Sequence, residues 1–331
     1  MWNISGYDHI ISYFENAVKA DRLGHSYLFL GPTGVGKSTL AINLAQLMNC
    51  RDPNPPCGSC SQCARIFKGI HSDVRILSVD KEADQRMIGL AAIREIQQES
   101  YLEPFEGDFR VYIVDGAENL TDEASNRFLK LLEEPPTHVV FILLSTDSGL
   151  LLSTIVSRCH QMNFRPLPTN MVSTILRNRF GASEPESSML AWLAEGRLGW
   201  AIRAKTEPGI LEELSYVAAK FLFLATAPIP ERLEFAEELA SLFPKDPRKV
   251  QQILAQWIFW WRVLLLVRFD HNELTQCPEV FMGIETLAKD YQPTESIQSI
   301  KAIQETSTLL DSNVNPRLAL ESLVLALPKL Y

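Results

Sequence analysis

Residues 31–38 read Gly31-Pro32-Thr33-Gly34-Val35-Gly36-Lys37-Ser38, the spacing G-x-x-x-x-G-K-[ST]. The chemistry this permits is phosphate binding. Glycines let backbone N–H groups turn toward phosphate oxygens, a helix start adds partial positive charge, and Lys37 adds a full one. Ser38 is the expected Mg²⁺ ligand. Such a site also needs an acid at the end of another strand, and Asp115 follows Val111-Tyr112-Ile113-Val114 in that manner. The candidate nucleotide-binding set is therefore Gly31 to Ser38 together with Thr39 and Asp115. A glycine-rich turn without a ligand is the alternative.

A second cluster has different chemistry. Cys50, Cys57, Cys60 and Cys63 fall within 14 residues, separated by six, two and two residues. Four thiolates complete a tetrahedral zinc shell with no open position for water, so the expected role is structural. Pro53, Pro55, Pro56 and Gly58 favour the turns that fold the ligands back on themselves. Four free thiols in a loop is the competing reading. Cys159 and Cys277 stand alone.

These residues need elements to hold them. The apolar spacing predicts a helix over 7–20, a buried strand over 26–30 ending at Gly31, and a helix from Lys37 to Met48 with its stripe at Leu40, Ala41, Leu44, Ala45 and Met48. Short β-branched runs at 74–79, 111–114 and 139–144 alternate with helical patterns, which implies a mostly parallel sheet covered by helices on both faces. After Pro166-Leu167-Pro168 no comparable strand run follows and the chain reads as helical. A second break at Thr206-Glu207-Pro208-Gly209 gives three expected domains, 1–166, 167–208 and 209–331.

Composition excludes several classes. The 331 residues are 46% hydrophobic and 21% charged, ordinary for a globular chain. With 31 Lys plus Arg against 40 Asp plus Glu, the net charge is −9. An acidic chain is poorly suited to grip nucleic acid alone, so such contact is expected to be local or shared with partners. The stretch Trp257 to Val267 is interrupted by Arg262 and falls short of the ~20 residues that span a bilayer, so it reads as a buried helix. The N-terminus has no signal-peptide pattern, and a cytoplasmic protein is expected.

In this order the motifs resemble the clamp-loader branch of the AAA+ ATPases, most closely the delta-prime subunits of bacterial DNA polymerase III. The landmarks are His25-Ser26-Tyr27-Leu28-Phe29, the cysteine module, Leu131-Leu132-Glu133-Glu134-Pro135-Pro136, Ser157-Arg158-Cys159, and Asn313 to Glu321, which looks like the family's last collar helix. The resemblance implies an α/β AAA+ P-loop domain with a parallel sheet, a small helical lid and an all-α collar. It implies ATP or ADP, Mg²⁺ and structural Zn²⁺ as cofactors. Arg158 would be an arginine finger acting on ATP held by a neighbouring subunit, and Thr146 would occupy the sensor-1 position. Implied partners are motor (tau/gamma-type) and delta subunits, with the sliding clamp and primer-template DNA reached through the assembled complex, and no membrane.

Two departures separate stator from motor. Motors carry a glutamate after the strand-end aspartate, where this chain has Gly116. They also carry an arginine at the fourth place of Gly-x-x-Arg, where Gly196-Arg197-Leu198-Gly199 ends in glycine. Arg197 is offset by two residues, about 200° around a helix. Glu118 reads either as a partial replacement for the missing acid or as a solvated loop residue. The expectation is a subunit that binds nucleotide, hydrolyses it poorly and acts in trans; the alternative is an ATP-hydrolysing motor subunit. A P-loop kinase leaves the cysteines and Ser157-Arg158-Cys159 without a role.

Overall fold

The computed structural model describes residues 2–79, 87–269, 287–312 and 314–328. Cys277 and Asn313 lie outside them. Contacts divide the chain into two units. One comprises 1–187 with 193–202, the other 188–192 with 203–331, so the segment 167–208 is shared between them.

In the first unit, α1 (Asp8–Lys19) precedes β1 (Ser26–Leu30), and α2 (Lys37–Asn49) follows directly from the glycine-rich turn. Next come α3 (Ser61–Phe67), β2 (Val74–Ser78), α4 (Leu90–Ser100), β3 (Arg110–Asp115), α5 (Asp122–Glu133), β4 (Val139–Ser145), α6 (Ser153–Val156), β5 (His160–Asn163) and α7 (Thr169–Phe180). The strands form one sheet in the order β2-β3-β4-β1-β5, and every pair is parallel. Strands β1 and β4 are buried along their whole length, as expected where helices cover both faces. Tyr112 stacks on Phe141 at 5.6 Å, and Phe128 of α5 meets Phe141 edge-on at 5.2 Å, joining helix to sheet. Each such ring, fully buried, contributes about 1.5–3 kcal/mol.

The alternation of strands and helices puts the predicted strands where the sheet needs them, but the sequence reading misses β5. Its residues His160, Gln161 and Asn163 are exposed and carry no apolar run. The strand exists because β1 offers it a partner, with Tyr27 opposite His160 and Leu30 opposite Asn163. An edge strand needs only one neighbour, so its signal lies in that neighbour's sequence.

The short helices α8 (Glu184–Leu193) and α9 (Leu198–Thr206) cross the division of the chain. The second unit is helical among the described residues: α10 (Pro208–Thr226), α11 (Ile229–Leu242), α12 (Pro247–Arg268), α13 (Pro293–Asp311) and α14 (Pro316–Ala326). Each starts with a proline in its first turn, where the missing N–H has no partner to lose. Helix α12 is long and apolar enough to cross a membrane by length and composition. Its Trp257, Trp260 and Trp261 are instead buried in this unit. Trp257 stacks on Phe235 at 5.6 Å, and Trp261 packs against Tyr291 at 4.9 Å. Arg232 is also buried there and donates to the carbonyls of Ala225, Ala227, Leu327 and Pro328 at 2.9–3.1 Å, satisfying the ends of two helices.

Candidate phosphate site and cysteine centre

The candidate phosphate cradle forms where β1 turns into α2. Gly31, Gly34 and Gly36 have φ of +148°, +85° and +114°, values that L side chains rarely adopt. A Cβ on Gly31 would lie 2.3 Å from the Phe164 carbonyl oxygen. Val35 is buried beneath the loop, whereas Pro32, Thr33, Ser38 and Thr39 are exposed. Lys37 is buried and folds back, its ammonium donating to the carbonyls of Gly31 and of Pro32, the latter at 3.0 Å. Burial pushes the Lys37 pKa down, and the charges of Asp115 and Glu118 oppose that shift. Ser38 Oγ donates to Asp115 Oδ2 at 3.0 Å. A hydroxyl and a carboxylate in contact, with solvent on one side, fit a hard cation that keeps several of its waters, such as Mg²⁺. Ile4, Val35, Thr39, Ile175, Leu198 and Ile202 line a cleft beside the loop.

Gly116 takes φ +78° directly after Asp115, and its N–H continues the ladder to Leu144 O at 3.1 Å. The 3-10 turn Ala117–Asn119 then directs Glu118 to Thr146, whose Oγ1 lies 3.4 Å from Glu118 Oε1. Gly199, by contrast, meets the cradle through its backbone. Its N–H donates to Gly34 O at 2.7 Å, and a Cβ there would stand 2.8 Å from the same oxygen. Arg197 turns away to donate from Nε to Ala194 O at 2.9 Å and lies over the Trp200 ring.

Arg158 is not part of this cradle. It is exposed just after α6, with Nη2 2.7 Å from Glu133 Oε1 and Nη1 donating to Thr154 O at 3.0 Å. Its carbonyl accepts from Ser26 Oγ at 2.8 Å, at the end of β1 opposite Gly31. Cys159 beside it is buried, which pushes its thiol up to about 11 and leaves it a packing group.

The four clustered cysteines converge with all sulfurs within 4.8 Å of one another, Cys50 to Cys60 and Cys57 to Cys63 being 3.9 Å apart. Four sulfurs at ~2.3 Å from a tetrahedral ion stand about 3.8 Å apart, so the set fits zinc. Backbone N–H groups already face the sulfurs: Cys60 N–H donates to Cys57 Sγ at 3.3 Å and Cys63 N–H to Cys60 Sγ at 3.4 Å. Such donors, chiefly the N–H of Cys60 and Ser59, lower the Cys57 thiol to about 6, whereas burial pushes Cys63 up.

The sequence reading passes over the network that fastens this module to the sheet. Asp73 is buried and accepts N–H bonds from Phe105, Glu106 and Gly107 at 2.7–2.9 Å. Burial alone would raise its carboxyl, but those donors and Arg110 outweigh it and the pKa is lowered. The Glu106 carbonyl accepts from Arg51 at 2.8 Å and Gln62 at 3.2 Å, and its carboxylate pairs with Arg65. Buried His71 accepts the Asp73 N–H at Nδ1, 3.0 Å, which leaves Nε2 to donate to Gln62 Oε1 at 2.6 Å. A lone Asp and a lone His in an unpatterned segment give no signal of this in the sequence.

Comparison with known proteins gives the following. The family model described as "DNA polymerase III, delta subunit" matches residues 6–168. The chain is 36% identical over 282 residues to DNA polymerase III subunit gamma of Buchnera aphidicola, covering 82% of this chain and 76% of that protein. It is 27% identical over 319 residues to DNA polymerase III subunit delta' of Bacillus subtilis, covering 96% and 95%. It spans only 30–31% of the length of the gamma/tau subunit of Mycobacterium tuberculosis and the tau subunit of Escherichia coli, which it also matches. Among solved structures, a DNA polymerase III gamma subunit-related protein of Thermotoga maritima aligns over 94% of this chain and 97% of that one, at 19% identity and a TM-score of 0.48.

Proposed function

The chain belongs to the clamp-loader subunit family of DNA polymerase III, and from that premise we propose that it is a delta-prime-type stator that helps load the sliding clamp onto primed DNA. In this reading residues 1–166 bind ATP or ADP with Mg²⁺ through the loop 31–39 and Asp115. Residues 167–208 form the lid and 209–331 a collar that joins motor and delta subunits. The cysteines hold a structural zinc. The setting is the cytoplasm.

One observation carries the reading: Arg158 is exposed and tied to the opposite end of β1 from the cradle. Its guanidinium lies outside the cradle, against Glu133 and the Thr154 carbonyl, and is suited to another chain's phosphates rather than its own. It keeps its charge at any working pH and stabilises charge that develops on a transferred phosphoryl group. The chain's own cradle has no side chain at the position after Asp115, which is consistent with slow turnover. Within the cradle, Lys37 would neutralise phosphate charge, and Ser38 with Asp115 would hold the cation that bridges phosphate oxygens.

The test is ATP binding and turnover by the purified chain alone, then with motor and delta subunits, clamp and primed DNA. The expected result is binding with slow turnover alone, and at least about a tenfold loss of DNA-stimulated hydrolysis by the complete loader when Arg158→Ala is introduced. An unchanged loader rate removes the trans role. The identity to a gamma subunit over 82% of the chain favours a second reading, the motor. Fast turnover by the isolated chain, abolished by Lys37→Ala, would put that reading first.

A further inference from the structure

Hydrolysis at a P-loop needs a group that orients the attacking water as well as a cradle and a cation. Gly116 cannot supply it. We propose that Glu118 does, displaced to the third position after Asp115 by the left-handed turn at Gly116, with Thr146 as its positioning partner. The inference rests on the reading of the cradle as an ATP site and extends it to the residue that would carry the chain's own slow turnover.

Three features of the turn carry the argument. First, the turn is fixed rather than loose. The Gly116 N–H is bound to Leu144 O at 3.1 Å, Asn119 Nδ2 donates to Gly116 O at 2.9 Å, and Ile88 brackets the far side by donating to Asn119 O at 2.8 Å and accepting from Thr121 N–H at 3.1 Å. Secondly, the turn favours glycine at its start, where φ is +78°. A Cβ on Gly116 would lie 2.6 Å from Asn119 Nδ2, so the glycine that removes the usual acid is the one that lets the chain reach back with Glu118.

Thirdly, the carboxylate is placed for a ligand. Glu118 is one of two acids whose charge acts on Lys37, the other being Asp115, which contacts Ser38. Its Oε1 is 3.4 Å from Thr146 Oγ1. Its Oε2 is buried and has no hydrogen-bond partner among the described residues. A buried carboxylate oxygen is costly unless it accepts a hydrogen bond, and a carboxylate has about four acceptor sites to fill. Oε2 is closed to solvent and fixes the carboxylate, so the attacking water would be held on the Oε1 side, between Thr146 and the terminal phosphate. In the step, the water oxygen forms a bond to the γ-phosphorus as the bond from phosphorus to the β,γ-bridging oxygen breaks. The electron pair leaves with ADP, and the water proton passes to Glu118, ending as inorganic phosphate, ADP and a carboxylic acid that returns its proton to solvent.

The experiment uses the full chain with Mg²⁺, measuring ATP and ADP affinities by equilibrium titration and single-turnover hydrolysis of bound ATP. Glu118→Gln keeps the shape and removes the basic oxygen. Hydrolysis is expected to fall about 100-fold. ATP affinity is expected to rise a few-fold, since a negative charge facing the γ-phosphate is gone, with ADP affinity unchanged. Glu118→Ala serves as the second variant, its melting curve reporting whether the fold is kept, and Thr146→Ala is expected to give a smaller loss of rate. Wild-type hydrolysis in Glu118→Gln overturns the inference, as does a wild-type chain that binds ATP without any turnover. An equal change in ATP and ADP affinity would assign Glu118 only to tuning Lys37 and also overturns it. Failure of the wild-type chain to bind ATP strikes instead at the reading of the cradle itself.

Discussion

The two ends of helix α2 carry sites built on opposite plans. At its start, the candidate phosphate cradle sets Gly31 to Ser38 against Asp115 and Gly199, so contributions come from across the first unit. Just past its end, the cysteine centre takes all four ligands from residues 50–63. The cradle's loop and acid are mounted on the ends of buried, parallel strands. The cysteine centre gathers four thiols on a short, proline-rich segment, and metal binding there would be coupled to local folding. A site made by the fold should survive loss of its ligand, and a site made by its ligand should not.

The largest test of that contrast is removal of metal. Cys60→Ser, or chelation of the wild-type chain, is expected to lower stability by about 4 kcal/mol while ATP affinity stays within about twofold. Metal analysis, urea melts and ATP titration on one sample would check it. A parallel collapse of ATP affinity would show that the two ends of α2 are not independent.

A middle-sized effect probes the other end. Gly199→Ala puts a methyl group 2.8 Å from Gly34 O and disrupts the 2.7 Å bond between the backbones. The expected cost is about 1–3 kcal/mol with weakened ATP binding and unchanged metal content. Undiminished ATP affinity would mean that the contact does not set the cradle's shape.

The smallest effect sharpens the comparison by pH. His71 has a pKa lowered from 6.5 by burial, against the opposing charges of Glu106 and Asp73. The unfolded chain therefore takes up a proton first as pH falls below 6.5, and stability declines. Asp73, lowered from 3.8, adds a second decline below that value, because the folded state again resists protonation. Asp73→Asn is expected to cost about 1–2 kcal/mol at neutral pH and to remove the lower step. Melting curves from pH 7 to pH 3 would check both, and an intact lower step in the variant would assign it elsewhere.

Much of this was legible from residue order. The strands around Tyr27, Ile113 and Ile142 announce themselves because central strands are apolar along their length. The loop 31–38 and the cysteines do so because their ligands are close in sequence. What escaped depends on approach distances between remote segments. Gly199 reads as a missing arginine, yet its position against Gly34 allows no side chain. Glu118 reads either as a partial replacement for the missing acid or as a solvated loop residue, and only the fold reveals that one of its oxygens is buried without a hydrogen-bond partner among the described residues. Asp73 and Arg232 bond mostly to backbone atoms, which no side-chain pattern encodes.

The bond from Ser26 to the carbonyl of Arg158 has a metric consequence. Strand β1 begins at that bond and ends at Leu30, next to Gly31, so its five residues act as a gauge about 16 Å long between the Arg158 backbone and the candidate phosphate cradle. In the assembled loader proposed above, each copy of such a domain would carry the same interval between the backbone of the residue proposed to reach its neighbour and the cradle it keeps. Part of the spacing between successive phosphate sites would then be set by a hydrogen-bonded strand, and the rest by the reach of the Arg158 side chain.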